Sequence, residues 1–162
     1  MPKRVAILFL VAVSAPAQAE PGSQTISVGV GYSTFSIPDH SPDGTMLGVD
    51  YELGLADVVM LRVSAGGGMY FADERSYSAQ GVVGLTYQVD VLRLVPYGSV
   101  AAGGIVLGGG GIDTDIFGLL ELAVGLDFRH SRHFSYGVQI RSETYVESTS
   151  FFAVSARVSW RL

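Results

Sequence analysis

Apolar residues alternate with small or polar ones along nearly the whole chain beyond Glu20. The plainest case is the end: Phe152, Val154, Ala156, Val158, Trp160 and Leu162 share one face, and Ala153, Ser155, Arg157, Ser159 and Arg161 the other. A period of two marks a β-strand whose faces meet different surroundings. Seven earlier segments repeat it. Residues 25–35 set Ile26, Val28, Val30 and Tyr32 against Ser27, Gly29, Gly31 and Ser33, and residues 45–55 set Leu47, Val49, Tyr51 and Leu53 against Gly48, Asp50, Glu52 and Gly54. Residues 59–71, 77–89, 116–128 and 134–146 follow the same rule. The fifth segment, about residues 94–107, is blurred by Ala and Gly; Tyr97, Ile105 and Leu107 are used to set its phase, which puts them on the apolar face. Pro-, Gly- and Asp-rich breaks at 36–44, 72–76, 108–115 and 147–149 form one set of connections, and tight turns near Asp57, at 90–93 and at 129–133 the other.

Eight strands of about 11 residues, joined by alternately long and short connections, predict an all-β fold, an eight-stranded antiparallel up-and-down transmembrane β-barrel. In the chosen phase no outward position is charged, as expected where an Arg at the bilayer midplane costs about 2–4 kcal/mol. Outward aromatics fall in two bands. Tyr87, Tyr97, Phe128, Phe134, Tyr136 and Trp160 form a girdle at the short-turn end, and Phe71, Tyr77 and Phe152 lie at the other. A soluble up-and-down barrel would turn the large residues inward, where they would overfill so narrow a lumen, and would carry a Lys- and Glu-rich outer face. The polar face here is mostly Gly, Ser and Ala.

Composition sharpens this picture. Lys3 and Arg4, an apolar run over 5–13 and Ala17-Gln18-Ala19 read as a secretory signal peptide at residues 1–19, with the barrel domain at 20–162. The apolar run is about half the ~20 residues a spanning helix needs. The chain has no Cys, so disulfides and Cys-ligated metals are excluded, and a net charge of −5 without basic clusters argues against nucleic acid.

The inward face carries the candidate chemistry. A turn centred on Ser131 sets Glu121 opposite Arg141, and one centred on Asp57 sets Glu52 opposite Arg62; a slip of one residue would invert the faces, while a slip of two keeps them and brings Arg62 to Asp50 or beside Glu52. Asp50, Asp127, Glu143 and Arg157 are further expected lumen charges. The glycine runs at 66–68 and 108–111 lack the Lys of a phosphate-binding loop. Asp39, Asp43, Asp73, Glu74, Asp113, Asp115 and Glu147 make the outer rim acidic; a solvated loop face is the favoured reading over divalent cations bridged to lipopolysaccharide. His40 with Ser36 or Ser41 is a minor candidate for hydrolytic chemistry, without an orienting acid or oxyanion donors. No cofactor is expected.

The N-terminal signal, the dyad repeat, Val95-Pro96-Tyr97-Gly98, the segment 118–128 with its inward Glu121, and the terminus Val158-Ser159-Trp160-Arg161-Leu162 together resemble the OmpA/OmpX-type eight-stranded outer-membrane β-barrel family. Such chains commonly end on Phe or Trp; here the last residue is an in-phase Leu162. The resemblance implies a monomer in the bacterial outer membrane among its lipids and lipopolysaccharide, inserted by the barrel-assembly machinery. It also implies a non-enzymatic role, in envelope integrity or partner docking, through a barrel with a side-chain-filled lumen. The alternatives are a lipid A-modifying enzyme and a small-solute channel.

Overall fold

A computed structural model describes residues 21–36, 42–71, 75–89, 93–109, 112–145 and 150–162; the segment read as a signal peptide lies outside them. Eight strands follow one another: β1 (Gln24–Ser36), β2 (Asp43–Ala56), β3 (Val59–Phe71), β4 (Arg75–Gln88), β5 (Leu94–Gly109), β6 (Ile112–Arg129), β7 (Phe134–Tyr145) and β8 (Ser150–Arg161). Each pairs antiparallel with its chain neighbours, and β1 pairs with β8 from Thr25↔Arg161 to Ser36↔Ser150, closing the barrel. Closure leaves no sheet edge unpaired, the condition for strands to cross a bilayer. No described helix is long and apolar enough to do so.

The dyad repeat becomes an inside and an outside. Val28, Val30, Leu47, Val63, Val83, Leu122, Val124, Val138 and Val158 are all exposed on the outer wall, while Ser27, Ser64, Thr86, Gln139 and Ser159 are buried in the lumen. Outward-facing charges on the described strands are confined to strand ends, at Asp43 and Arg75.

Strand β5 corrects the sequence reading. Tyr97, Ile105 and Leu107 point inward and are buried, while Leu94 and Val100 are exposed on the wall. The inversion has a packing cause. Tyr97 pairs across the ladder with Gly125, and a Cβ built at Gly125 would strike the Tyr97 ring, so the missing side chain is the space the phenol occupies. Outward small residues on β5 (Gly98, Ala102 and Gly104) leave too little hydrophobic contrast to reveal the phase.

Registers follow the hairpin arithmetic in one case and slip in another. Glu52 faces Arg62 across β2–β3, as the turn at Asp57 requires. Across β6–β7 the pairs are Glu121↔Glu143 and Ala123↔Arg141, two residues from expectation. The β6–β7 turn is centred on Arg132, with the His130 and Ser131 amides both donating to the Phe134 carbonyl at 3.0 and 3.1 Å. A slip of two preserves every facing.

The upper lumen, toward the long connections, is apolar. Phe35, Tyr70, Val82, Ala101, Ile105, Leu107, Leu119 and Phe151 form one buried cluster with Phe117 packed against it. Phe35 stacks on Phe151 at 5.0 Å, and Tyr70 meets both rings edge-on at 4.8 and 5.5 Å. Gly68 makes room for the Tyr70 phenol, which a Cβ there would strike.

A candidate functional site in the barrel lumen

Below the aromatic cluster the lumen is ionic. Five carboxylates (Asp50, Glu52, Glu121, Asp127 and Glu143) and three guanidiniums (Arg62, Arg141 and Arg157) are all buried. Alternation puts them there: each occupies the inward phase of its strand, and a narrow barrel brings inward residues of non-adjacent strands within reach.

Arg62 is the hub. Its Nη2 and Nε donate to Asp50 Oδ1 at 2.8 and 3.1 Å, and its Nη1 to Glu121 Oε1 at 2.5 Å and Ser99 Oγ at 3.0 Å. Arg157 forms a second centre. Its Nη2 donates to Glu52 Oε2 at 2.7 Å and Ser27 Oγ at 2.8 Å, its Nε to Ser159 Oγ at 3.1 Å, and Asp127 Oδ2 lies 3.9 Å away. Thr86 Oγ1 donates to the other oxygen of Glu52 at 3.2 Å. Arg141 is held more loosely, with Gln139 at 3.0 Å, Glu121 at 3.5 Å and Glu143 at 3.8 Å. Gln80 Nε2 donates to Glu143 Oε1 at 2.7 Å.

All eight lumen charges named from the sequence therefore lie in this network, with different partnerships. Glu52 and Arg62 face each other along the backbone, but their side chains diverge, Arg62 to Asp50 and Glu121, and Glu52 to Arg157. Glu121 and Arg141 approach within 3.5 Å one ladder step out of register. Arg62–Glu121 and Arg157–Glu52 cross the lumen between strands far apart in sequence, which hairpin geometry cannot show, whereas Arg62–Asp50 lies diagonally within the β2–β3 hairpin.

At the short-turn end Tyr87, Tyr136 and Trp160 are exposed outward, and Phe128, Phe134, Tyr136 and Trp160 make a run of ring contacts at 5.4, 6.4 and 6.2 Å. Tyr97 is not part of this girdle. It is 7% exposed, and Arg157 Cζ sits over its ring at 4.8 Å from the centroid. A cation–π contact of this desolvated kind is worth about 2 kcal/mol. A pocket of about 40 Å3 opens below, among Glu52, Asp127, Arg157, Arg129 and His133.

Most of the rim candidates fall where the structure gives no description. His40, Ser41, Asp39, Asp73, Glu74 and Glu147 lie outside the described residues, as does the side chain of Asp113. Ser36 and Asp115 are exposed, and Asp43 accepts a short hydrogen bond from the Tyr32 hydroxyl on the outer wall. Among the described residues no three His, Cys, Asp or Glu side chains gather as a metal site would require. The Phe35–Tyr70–Phe151 cluster was missed in the sequence, although the signal was present: three large aromatics sit in the inward phase of their strands, toward the long-connection end, among mostly small neighbours such as Ser33, Gly68 and Ala153.

A closed, all-antiparallel eight-stranded barrel with an apolar exterior and an ionic lumen defines the class of small membrane-spanning β-barrels. The chain belongs to the family described as "Outer membrane protein beta-barrel domain", which matches residues 5–161. No curated protein sequence matches it. Its fold is that of Neisserial surface protein A (TM-score 0.70, 12% identity, covering 86% of this chain and 97% of that one). It is also that of Ail, the attachment invasion locus protein of Yersinia pestis (0.61, 14%, 87% and 99%). The outer membrane enzyme PagL shares it too (0.57, 16%, 84% and 98%). At such identities the likeness is one of fold, and the family points to the bacterial outer membrane.

Proposed function

We propose that this chain is a non-enzymatic integral outer-membrane protein whose lumen is closed to solutes, serving envelope integrity or partner docking through its outer loops. The observation that carries this reading is the lumen itself. Eight buried charges bridge the lower half and the Phe35–Tyr70–Phe151 cluster fills the upper half, in a barrel only wide enough for side chains. On this reading residues 1–19 are removed on export and the mature chain begins at Glu20. The barrel-assembly machinery inserts it, and it stands as a monomer among phospholipid and lipopolysaccharide. Reconstitution in planar bilayers tests it: no steady conductance above the lipid background is expected, and large, lasting openings would replace the plug with a small-solute channel.

The shared fold with PagL, an enzyme, gives the second reading its place. His40 with Ser36 or Ser41 is the only histidine–serine combination at the long-connection end, and no acid in the sequence pattern orients it. Mass spectrometry of lipid A from cells with and without the gene should show identical species. A mass difference of one acyl chain would establish the enzyme.

A further inference from the structure

Cations gather at the short-turn end. Arg129 ends β6, Arg132 and His133 lie in the β6–β7 turn and Arg161 ends β8, and all four line one pocket of about 650 Å3. That is within the about 300–1,000 Å3 of small-ligand sites. Arg132 and His133 are exposed and Arg129 and Arg161 half-buried, so a solute can reach them. Backbone hydrogen bonds hold the wall in place. The Gly22 amide donates to the Gly54 carbonyl at 2.9 Å and the Leu162 amide to the Gln24 carbonyl at 2.9 Å, tying the start of β1 to β2 and to the end of β8. The Arg161 amide donates to the His133 carbonyl at 2.8 Å, and His133 Nδ1 returns a hydrogen bond to the Arg161 carbonyl at 3.2 Å.

The chemistry of this wall is one-sided. Among the described residues it carries no acidic side chain; Glu52 and Asp127 belong to the deeper pocket of about 40 Å3, where they flank Arg157 at 2.7 and 3.9 Å. Three guanidiniums exceed what a single carboxylate at Leu162 would neutralise. Ser23 Oγ, on the same wall, is buried and has no hydrogen-bond partner among the described residues, which leaves a hydroxyl to donate. A guanidinium donates and never accepts, and its planar fork matches carboxylate and phosphate oxygens. A carboxylate brings one charge and two oxygens to three forks and a hydroxyl. A phosphate group brings up to two charges and three free oxygens, and meets more of them.

We propose that this basic cup at the short-turn end binds a phosphate group, with Arg129, Arg132 and Arg161 as its cationic partners and the Ser23 hydroxyl as a neutral donor. Short turns of such barrels face the periplasm, so the site lies at the opposite end from the outer loops and takes a ligand from the periplasmic side. Both a phospholipid headgroup of the facing leaflet and a soluble phosphate compound carry this chemistry.

The test uses the full mature chain refolded into octyl glucoside micelles, which contain no phosphate, with gel mobility of unheated samples confirming the fold. Calorimetric titration with sodium diphosphate in about 100 mM sodium chloride, where charges are screened beyond about 10 Å, should show saturable binding of a single diphosphate per chain. Arg132→Gln should weaken it about tenfold and Ser23→Ala about threefold, the scale of a charged and of a neutral hydrogen bond. Arg93→Gln, at an exposed arginine beside the β4–β5 connection that does not line the pocket, should change it less than about twofold. Phosphatidylglycerol added to the micelles separates the two sources: displacement of diphosphate identifies a lipid headgroup as the occupant, and undiminished binding a soluble phosphate compound. Absence of saturable binding overturns the site, as do equal losses in Arg93→Gln and Arg132→Gln, which diffuse charge would give. So does binding that appears only in Glu20→Gln, since the chain's own Glu20, next in sequence to Pro21 of the wall, then fills the cup.

Discussion

Arg62→Met removes the hub of the lumen network while keeping most of the aliphatic stem. It strips hydrogen bonds at 2.8 and 3.1 Å to Asp50, 2.5 Å to Glu121 and 3.0 Å to Ser99, and strands two carboxylates with no compensating hub. Both the Arg62 and Glu121 side chains are essentially inaccessible to water, at 1% and 0% exposure, so solvent cannot take over the lost interactions. Breaking a buried pair by deleting one partner costs about 3–5 kcal/mol. At about 1.36 kcal/mol per decade, that is two to nearly four orders of magnitude in the folding equilibrium. The triple change Asp50→Asn/Arg62→Met/Glu121→Gln removes the stranded charges as well and should recover more than half of the loss. Arg141→Met should cost less than half as much as Arg62→Met, because Arg141 has one hydrogen bond, at 3.0 Å, and charge contacts only at 3.5 and 3.8 Å. Urea unfolding in phospholipid vesicles, read by gel mobility and Trp160 fluorescence, gives all three values. A triple variant as unstable as the single one, or equal losses at Arg62 and Arg141, would refute the hub.

Tyr97→Phe should be nearly neutral, because the ring over Arg157 is kept and the Tyr97 hydroxyl has no hydrogen-bond partner, whereas Tyr97→Leu should lose about 1–2 kcal/mol in the same unfolding assay. The chain has no native cysteine, so single cysteines report facing along β5: Val100→Cys should react with a lipid-soluble maleimide in vesicles and Ser99→Cys should not, and the reverse would restore the phase first inferred from Tyr97.

Seven of the eight strands could be phased from alternation because their outer faces carry branched aliphatics that contrast with Gly, Ser and charge. β5 could not. Its outward positions include Gly98, Ala102 and Gly104, and its bulkiest residues, Tyr97, Ile105 and Leu107, are lumen fillers. The assumption that size marks the lipid face fails wherever a glycine on the neighbouring strand opens the interior, as Gly125 does for Tyr97. The same assumption hid Phe35, Tyr70 and Phe151. Register was legible where the turn is tight, at Asp57, and slipped by two where His130 and Ser131 close on Phe134 in a longer turn.

Arg62–Asp50 was within reach of hairpin arithmetic, but the partners across the lumen were illegible for a different reason. Arg157 and Glu52 are 105 residues apart, Arg62 and Glu121 59, and Gln80 and Glu143 63, joining β8 to β2, β3 to β6 and β4 to β7. Backbone hydrogen bonds already tie each strand to its neighbours, so a charge pair within a hairpin adds little to what the ladder fixes. A pair across the lumen ties strands that the ladder never joins, and it forms only once the sheet has curled far enough to bring them together. The loop-closure entropy of such contacts is met late, when most of the ladder is already in place. Lumen charges so placed act as struts specific to the closed barrel, and an open or misregistered sheet leaves them unpaired. That makes these trans-lumen partnerships a property of closure, unlike Arg62–Asp50 and Arg141–Glu121, which single hairpins contain.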